Sequence, residues 1–152
     1  MKLLPIKQIS FQTALLAKNL GFTIEELLDK IHYVYNIKNK ILYHNEYGYN
    51  PKIFSLNPRI ETIAVPSKEL LNKWLRDIHN ILITIEYWNG ACGPHYHYKL
   101  TILKGPYKRT EIYGNLIKIN KNFDAYEKAM EQGIKKGMEI VKRENSRNNL
   151  KH

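Results

Sequence analysis

Apolar residues along this chain recur at helical spacing in some stretches and alternate with polar ones in others. Near the amino end Phe11, Ala14, Leu15 and Lys18 fall on neighbouring turns. Ser10 is placed to cap that helix and Gly21 to stop it. Thr23, followed three residues later by Glu26, has the form of a capping box and predicts a short second helix toward Ile31. The pair resembles a helix-turn-helix in outline. Its charge argues against one, since Glu25, Glu26 and Asp29 sit where a reading helix meets phosphates. From Ile31 the period shortens. His32-Tyr-Val-Tyr and Ile41-Leu-Tyr-His read as β-prone runs joined across Asn36–Lys40 into a hairpin. Glu46–Lys52 and Asn57–Arg59 read as loops, because Gly and Asn-Pro interrupt both periods.

The second half carries the clearer pattern. Ser67 can cap a helix whose Leu70, Leu71, Trp74, Leu75 and Ile78 form a core-facing stripe, leaving Lys68, Lys73 and Arg76 on its exposed side. Ile81, Ile83, Ile85 and Tyr87 then alternate onto one face of a strand running to Trp88. Asn89-Gly90-Ala-Cys-Gly93-Pro94 turns the chain back. The return strand sets Tyr96, Tyr98, Leu100 and Ile102 on one face and His95, His97, Lys99 and Thr101 on the other. A third strand is expected over Arg109–Tyr113. Gly114-Asn115 reads as a hairpin signal leading into a fourth over Leu116–Ile119. Asp124 and Glu127 form a second capping-box pattern, opening a helix with Tyr126, Ala129, Met130, Ile134, Met138 and Val141 on one stripe. Gly133 and Gly137 lower its propensity by about 1 kcal/mol each and leave room for close packing on the sheet.

The expected class is therefore α+β: a small antiparallel sheet packed by amphipathic helices, with a helix-strand-strand-strand-helix unit at the carboxyl end. One compact domain is expected over residues 1–142, divisible into 1–63 and 66–142, with a flexible basic tail over 143–152. At 152 residues and 43% hydrophobic composition the chain can build a core without metal or disulfide. Its apolar runs are far shorter than the roughly 20 residues of a membrane-spanning helix. Met1–Lys7 lacks the sustained apolar segment of a signal peptide. The single cysteine, Cys92, fits a reducing compartment, so cytoplasmic residence in a host cell is expected.

Charge adds a direction. Lys and Arg number 24 against 14 acids, a net charge of +10. From Lys99 onward 13 basic side chains meet six acidic ones. Such a field attracts nucleic acid, acidic proteins or anionic surfaces. Lys99, Lys104, Lys108, Arg109, Lys118 and Lys121 fall along one sheet edge and its loops, with Tyr107 and Tyr113 as neighbouring stacking surfaces. They are the nucleic-acid-binding candidates, and a solubilising surface explains the same lysines. His95, His97, Tyr96 and Tyr107 are the candidates for contact with a partner.

Cys92, His95 and His97 form the one local cluster of metal-ligating type. Zinc needs about four ligands, or three and a water, and no paired CxxC or HExxH accompanies them. No metal and no cofactor is expected. Cys92 beside His95 also has the residue types of a nucleophilic pair, with Glu86 or Asp77 as orienting acid, though nothing specifies an oxyanion site. No phosphate-binding glycine fingerprint occurs.

The order helix, three strands, helix from Ser67 to Val141 resembles the double-stranded-RNA-binding domain. That family uses a lysine cluster at the start of its last helix. This helix begins Asp124-Ala-Tyr-Glu-Lys-Ala, with Lys135-Lys136 much later, so the likeness is confined to topology. A broader likeness is carried by Pro66, Leu70, Leu71, Lys73, Trp74, Leu75, Arg76, His79, Asn80 and Ile81. It resumes at Tyr126, Glu127, Ala129, Glu131 and Gly133, and extends to the Phe11–Phe22 stretch. In these positions the chain resembles small proteins of Bacteroidetes bacteria and their phages, crAss-like phages included. The resemblance implies a phage or mobile-element setting and transfers no residue roles. The expected function is a non-enzymatic accessory protein that binds a host or phage macromolecule, most simply a protein. Nucleic-acid binding through a basic sheet face is the alternative, and a cysteine–histidine enzyme a further one.

Overall fold

Ser10 turns the chain into its first helix, α1 (Phe11–Asn19), its hydroxyl accepting from the Thr13 N–H at 3.3 Å. Gly21 ends it at φ +78°, with Gly21 N–H donating to Lys18 O and Phe22 N–H to Ala17 O. That reciprocal pair is a Schellman stop, for which glycine is suited because a Cβ disfavours positive φ. The computed structural model describes residues 9–22, 33–40, 42–44, 62–91, 93–104, 108–119 and 125–150. The helix expected over 23–31 and the loops of 46–59 lie outside them. The chain divides into two compact units, Met1–Ser67 and Lys68–His152.

In the first unit β1 (Tyr33–Asn36) and β2 (Leu42–His44) form the expected antiparallel hairpin. Asn36 fixes its turn, its Oδ1 accepting from Lys38 and Asn39 N–H. A third strand, β3 (Thr62–Ala64), pairs antiparallel with the other edge of β1, giving the order β2-β1-β3. Three residues before a Pro carry too little alternation to announce a strand. Buried Tyr35 donates to Ile9 O at 3.1 Å and meets the Phe11 ring edge-on at 5.4 Å.

The second unit is a helix-strand-strand-strand-helix fold with antiparallel strands and both helices on one face. Helix α2 (Lys68–His79) buries Leu71, Trp74 and Leu75. Two expectations fail at its ends. Ile78 is 63% exposed, while Lys68 is buried and pairs with Glu127 at 2.9 Å. Asn80, at φ 55°, stops α2 and delivers the chain directly into β4 (Ile81–Gly90). β4 runs antiparallel to β5 (Gly93–Lys104) in unbroken register from Ile81↔Ile102 to Gly90↔Gly93. Ile81, Ile83, Leu100 and Ile102 thus share the buried face. They meet Ala129, Ile134, Met138 and Val141 of the closing helix α3 (Ala125–Asn149). Each large apolar side chain so buried contributes about 1.5–3 kcal/mol. Beyond Val141, α3 continues through residues 143–149, which the lost apolar period assigned to a tail. Arg143, Glu144 and Arg147 are good helix formers, and extending an existing helix past the Asn and Ser between them avoids the cost of a new nucleus.

The far edge of β5 differs from the sequence reading. β6 (Lys108–Tyr113) pairs with residues 99–104 of β5, and β7 (Ile117–Lys118) pairs with His95 and Tyr96 along the same edge. Gly114-Asn115 is therefore not a hairpin. Three residues, 114–116, oppose two, 97 and 98, so the segment is a bulge in one continuing strand path. A type I′ turn needs positive φ at both central residues, and Gly114 lacks it. What Gly114 supplies is space: the Tyr98 ring lies where a Cβ would stand.

Candidate functional site

With α2 and α3 covering one side of the sheet, the other side presents the alternate residues of β4, β5 and β6. Register sets them in rows: Trp88, His95 and Lys118; Glu86 and His97; Thr84, Lys99 and Tyr113; Leu82, Thr101 and Glu111; Leu103 and Arg109. Leu82, Trp88, Leu103 and Tyr113 are each more than a third exposed.

Lys99 and Arg109 are compensated within this face, whereas exposed Lys118 has no ion pair among the described residues. Glu86 lies 3.4 Å from His97 Nε2 and 3.7 Å from Lys99 Nζ. Lys99 reaches Glu111 at 3.3 Å, and Arg109 pairs with the same carboxylate. Tyr113 donates its hydroxyl to Glu111 at 2.8 Å, and Lys99 stands 5.4 Å from the centre of the Tyr113 ring. The Tyr113 hydroxyl, ahead of Lys99 and Arg109, holds the Glu111 carboxyl below its ordinary range. Tyr113 and then Glu111 raise Lys99 above its own, so both groups stay ionised at neutral pH. Two of the nominated basic residues thus serve internal pairs.

The other candidates are spread along the strands. Lys118 stands opposite His95 at one end, and Lys104 opposite Lys108 at the other. Nine residues of strand put these ends about 30 Å apart. Tyr107, Lys121 and Cys92 lie outside the described residues. His95 is buried at the hairpin, its Nδ1 2.7 Å from Gly93 O, and the Trp88 ring lies 6.1 Å away. His97 shares its face, with Nδ1 buried and unpartnered. Tyr96 lies on the opposite face, edge-on to Tyr87 and Tyr126 at 5.7 Å each. The sequence named this face, its histidines and Lys99. It named Glu86 only as an orienting acid for a Cys92–His95 pair and missed it, with Glu111, as a partner of His97 and Lys99, although alternation alone puts Glu86 beside them once the β4–β5 register is known.

A shallow groove lies between the bulge and α3, lined by Tyr98, Tyr113, Gly114, Asn115, Gln132, Lys135, Lys136 and Glu139. Among the described residues no three His, Cys, Asp or Glu side chains converge to hold a metal. No described helix is long and apolar enough to cross a membrane. The chain matches no protein-family model, no curated protein and no solved structure.

Proposed function

We propose that this chain is a non-enzymatic binding module that docks a host or phage protein on the uncovered face of β4, β5 and β6. The observation that carries the reading is the composition of that face. Exposed Trp88, Tyr113, Leu82 and Leu103 surround a ladder in which Lys99 and Arg109 are matched by Glu86 and Glu111. Aromatic residues and Arg are the side chains enriched in protein interfaces, where a few of them supply most of the affinity. A phosphate backbone instead rewards an uncompensated cationic surface. The phage or mobile-element setting is supported by the sequence likeness over 66–81 and 126–133, and a cytoplasmic one by the lone cysteine.

Nucleic acid is the second reading, favoured by α3 rather than the sheet, since Lys135, Lys142, Arg143 and Arg147 are exposed along it. Affinity capture from cells of the source organism separates the two. The tagged chain is expected to retain a defined protein at 300 mM salt. The Trp88→Ala/Tyr113→Ala variant, folded by circular dichroism, is expected to lose it. Retention of that protein by the variant, or recovery only of nucleic acid released by salt, contradicts the reading.

A further inference from the structure

The two edges of the second sheet are built in opposite ways. An edge strand exposes a row of unpaired N–H and C=O groups, and monomers blunt it with Lys, Pro, bulges or short strands. The β6–β7 edge has these devices: Lys108 and Arg109, the 114–116 bulge and a two-residue β7. The β4 edge has none. It spans ten residues, Ile-Leu-Ile-Thr-Ile-Glu-Tyr-Trp-Asn-Gly, with no Pro, no Lys and a register unbroken by any bulge.

Hydrogen-bond parity shows which groups are open. Asn80 O accepts from Leu103 N–H, so the even residues of β4 bond β5 and the odd ones point away. Ile83 O accepts from Asn72 Nδ2 of α2 at 3.5 Å. The outward main-chain groups of Ile85, Tyr87 and Asn89 have no partner among the described residues.

We propose that this edge pairs with β4 of a second copy of the chain, antiparallel about a two-fold axis at Tyr87. The register follows from parity and charge. Only odd residues can exchange bonds, and centring on Tyr87 pairs Ile85 with Asn89 of the mate, giving six main-chain bonds. Shifting the axis to Glu86 would oppose two carboxylates. Shifting it to Ile85 would call on Ile83 O, which Asn72 already occupies. In the Tyr87 register each Glu86 lies beside the mate's Trp88, and the two tyrosines, each 57% exposed, form a cross-strand aromatic pair. The two sheets become one, and their uncovered faces join at the seam. This inference stands independently of what that face binds.

Sedimentation of the purified full chain tests it. Twice the 18.0 kDa chain mass is expected, falling to 18.0 kDa in Tyr87→Pro and in Tyr87→Lys. Proline at 87 removes an outward N–H rather than one bonded to β5, while also holding φ at about −65°, and lysine keeps the N–H but sets two charges together on the axis. If proline impairs folding, lysine still reads the edge. A monomeric wild type at about 100 µM, or a dimeric Tyr87→Lys, overturns the proposal. Register is read by oxidising an equimolar mixture of Glu86→Cys and Trp88→Cys chains, each carrying Cys92→Ser. Non-hydrogen-bonded antiparallel partners lie about 4.5 Å apart at Cα, within disulfide reach. A cross-link enriched in the mixture over either chain alone supports the register, and its absence there overturns it.

Discussion

His79, at the last turn of α2, shows how a single side chain couples this fold to pH. Its ring meets Trp74 edge-on at 4.6 Å, and its Nε2 is buried without a hydrogen-bond partner. Burial lowers its pKa from the ordinary 6.5, against a smaller opposing pull from Glu144. A histidine with a lowered folded pKa binds its proton more readily when unfolded. Its contribution to stability is thus complete above about 6.5 and is lost as pH falls through the folded value. NMR titration of His79 is expected to give a midpoint below that of a free imidazole. His79→Gln should flatten the fall in melting temperature between pH 7 and 5. A midpoint at or above 6.5 contradicts the account. Lys68 marks the limit of reading single residues from periodicity. The helical stripe placed it outside, and only the fold brings the Glu127 carboxylate, 59 positions away, to its ammonium.

At the scale of elements, the α3 glycines make a contrasting pair. A Cβ at Gly133 would stand 2.8 Å from Ile83 Cγ2 and 3.0 Å from Tyr98 Cβ, both held in the sheet. At Gly137 the nearest atom is Leu75 Cδ1 at 3.1 Å, the mobile end of a side chain. Ala adds about 1 kcal/mol of helix propensity at either site. Overpacking costs about 1–3 kcal/mol where neighbours cannot yield. Gly133→Ala should therefore lower the urea midpoint, while Gly137→Ala leaves it unchanged or raises it; the reverse order would show that α3 does not pack as described. These elements were legible because their periods are long: twelve residues of α2, ten of β4, and the stripe of α3. β3 was not legible, being three residues whose partner is set by register. Gly114-Asn115 was misread because a hairpin and a bulge share the same residues, and only the backbone angle and the Tyr98 ring separate them.

Across the whole molecule, the net charge of +10 invited a phosphate-binding reading that the arrangement of charge does not favour. Lys99 and Arg109 are engaged with acids on their own face. The exposed cations of α3 give nucleic acid a different surface, so reversing Lys135 and Lys142 is the change that should matter to it. Pairing of β4 edges would double the uncovered face without altering its chemistry. The most direct test of that face as a protein-docking surface is photo-crosslinking in cells from a benzophenone amino acid at Leu103. Leu103 lies on the central strand, 49% exposed and away from the β4 edge. A probe at Arg143 on α3 serves as the comparison. A discrete protein adduct is expected from Leu103, absent from Arg143 and lost when Trp88 and Tyr113 are replaced by Ala. Adducts from Arg143 alone, or nuclease-sensitive adducts from either site, would contradict it.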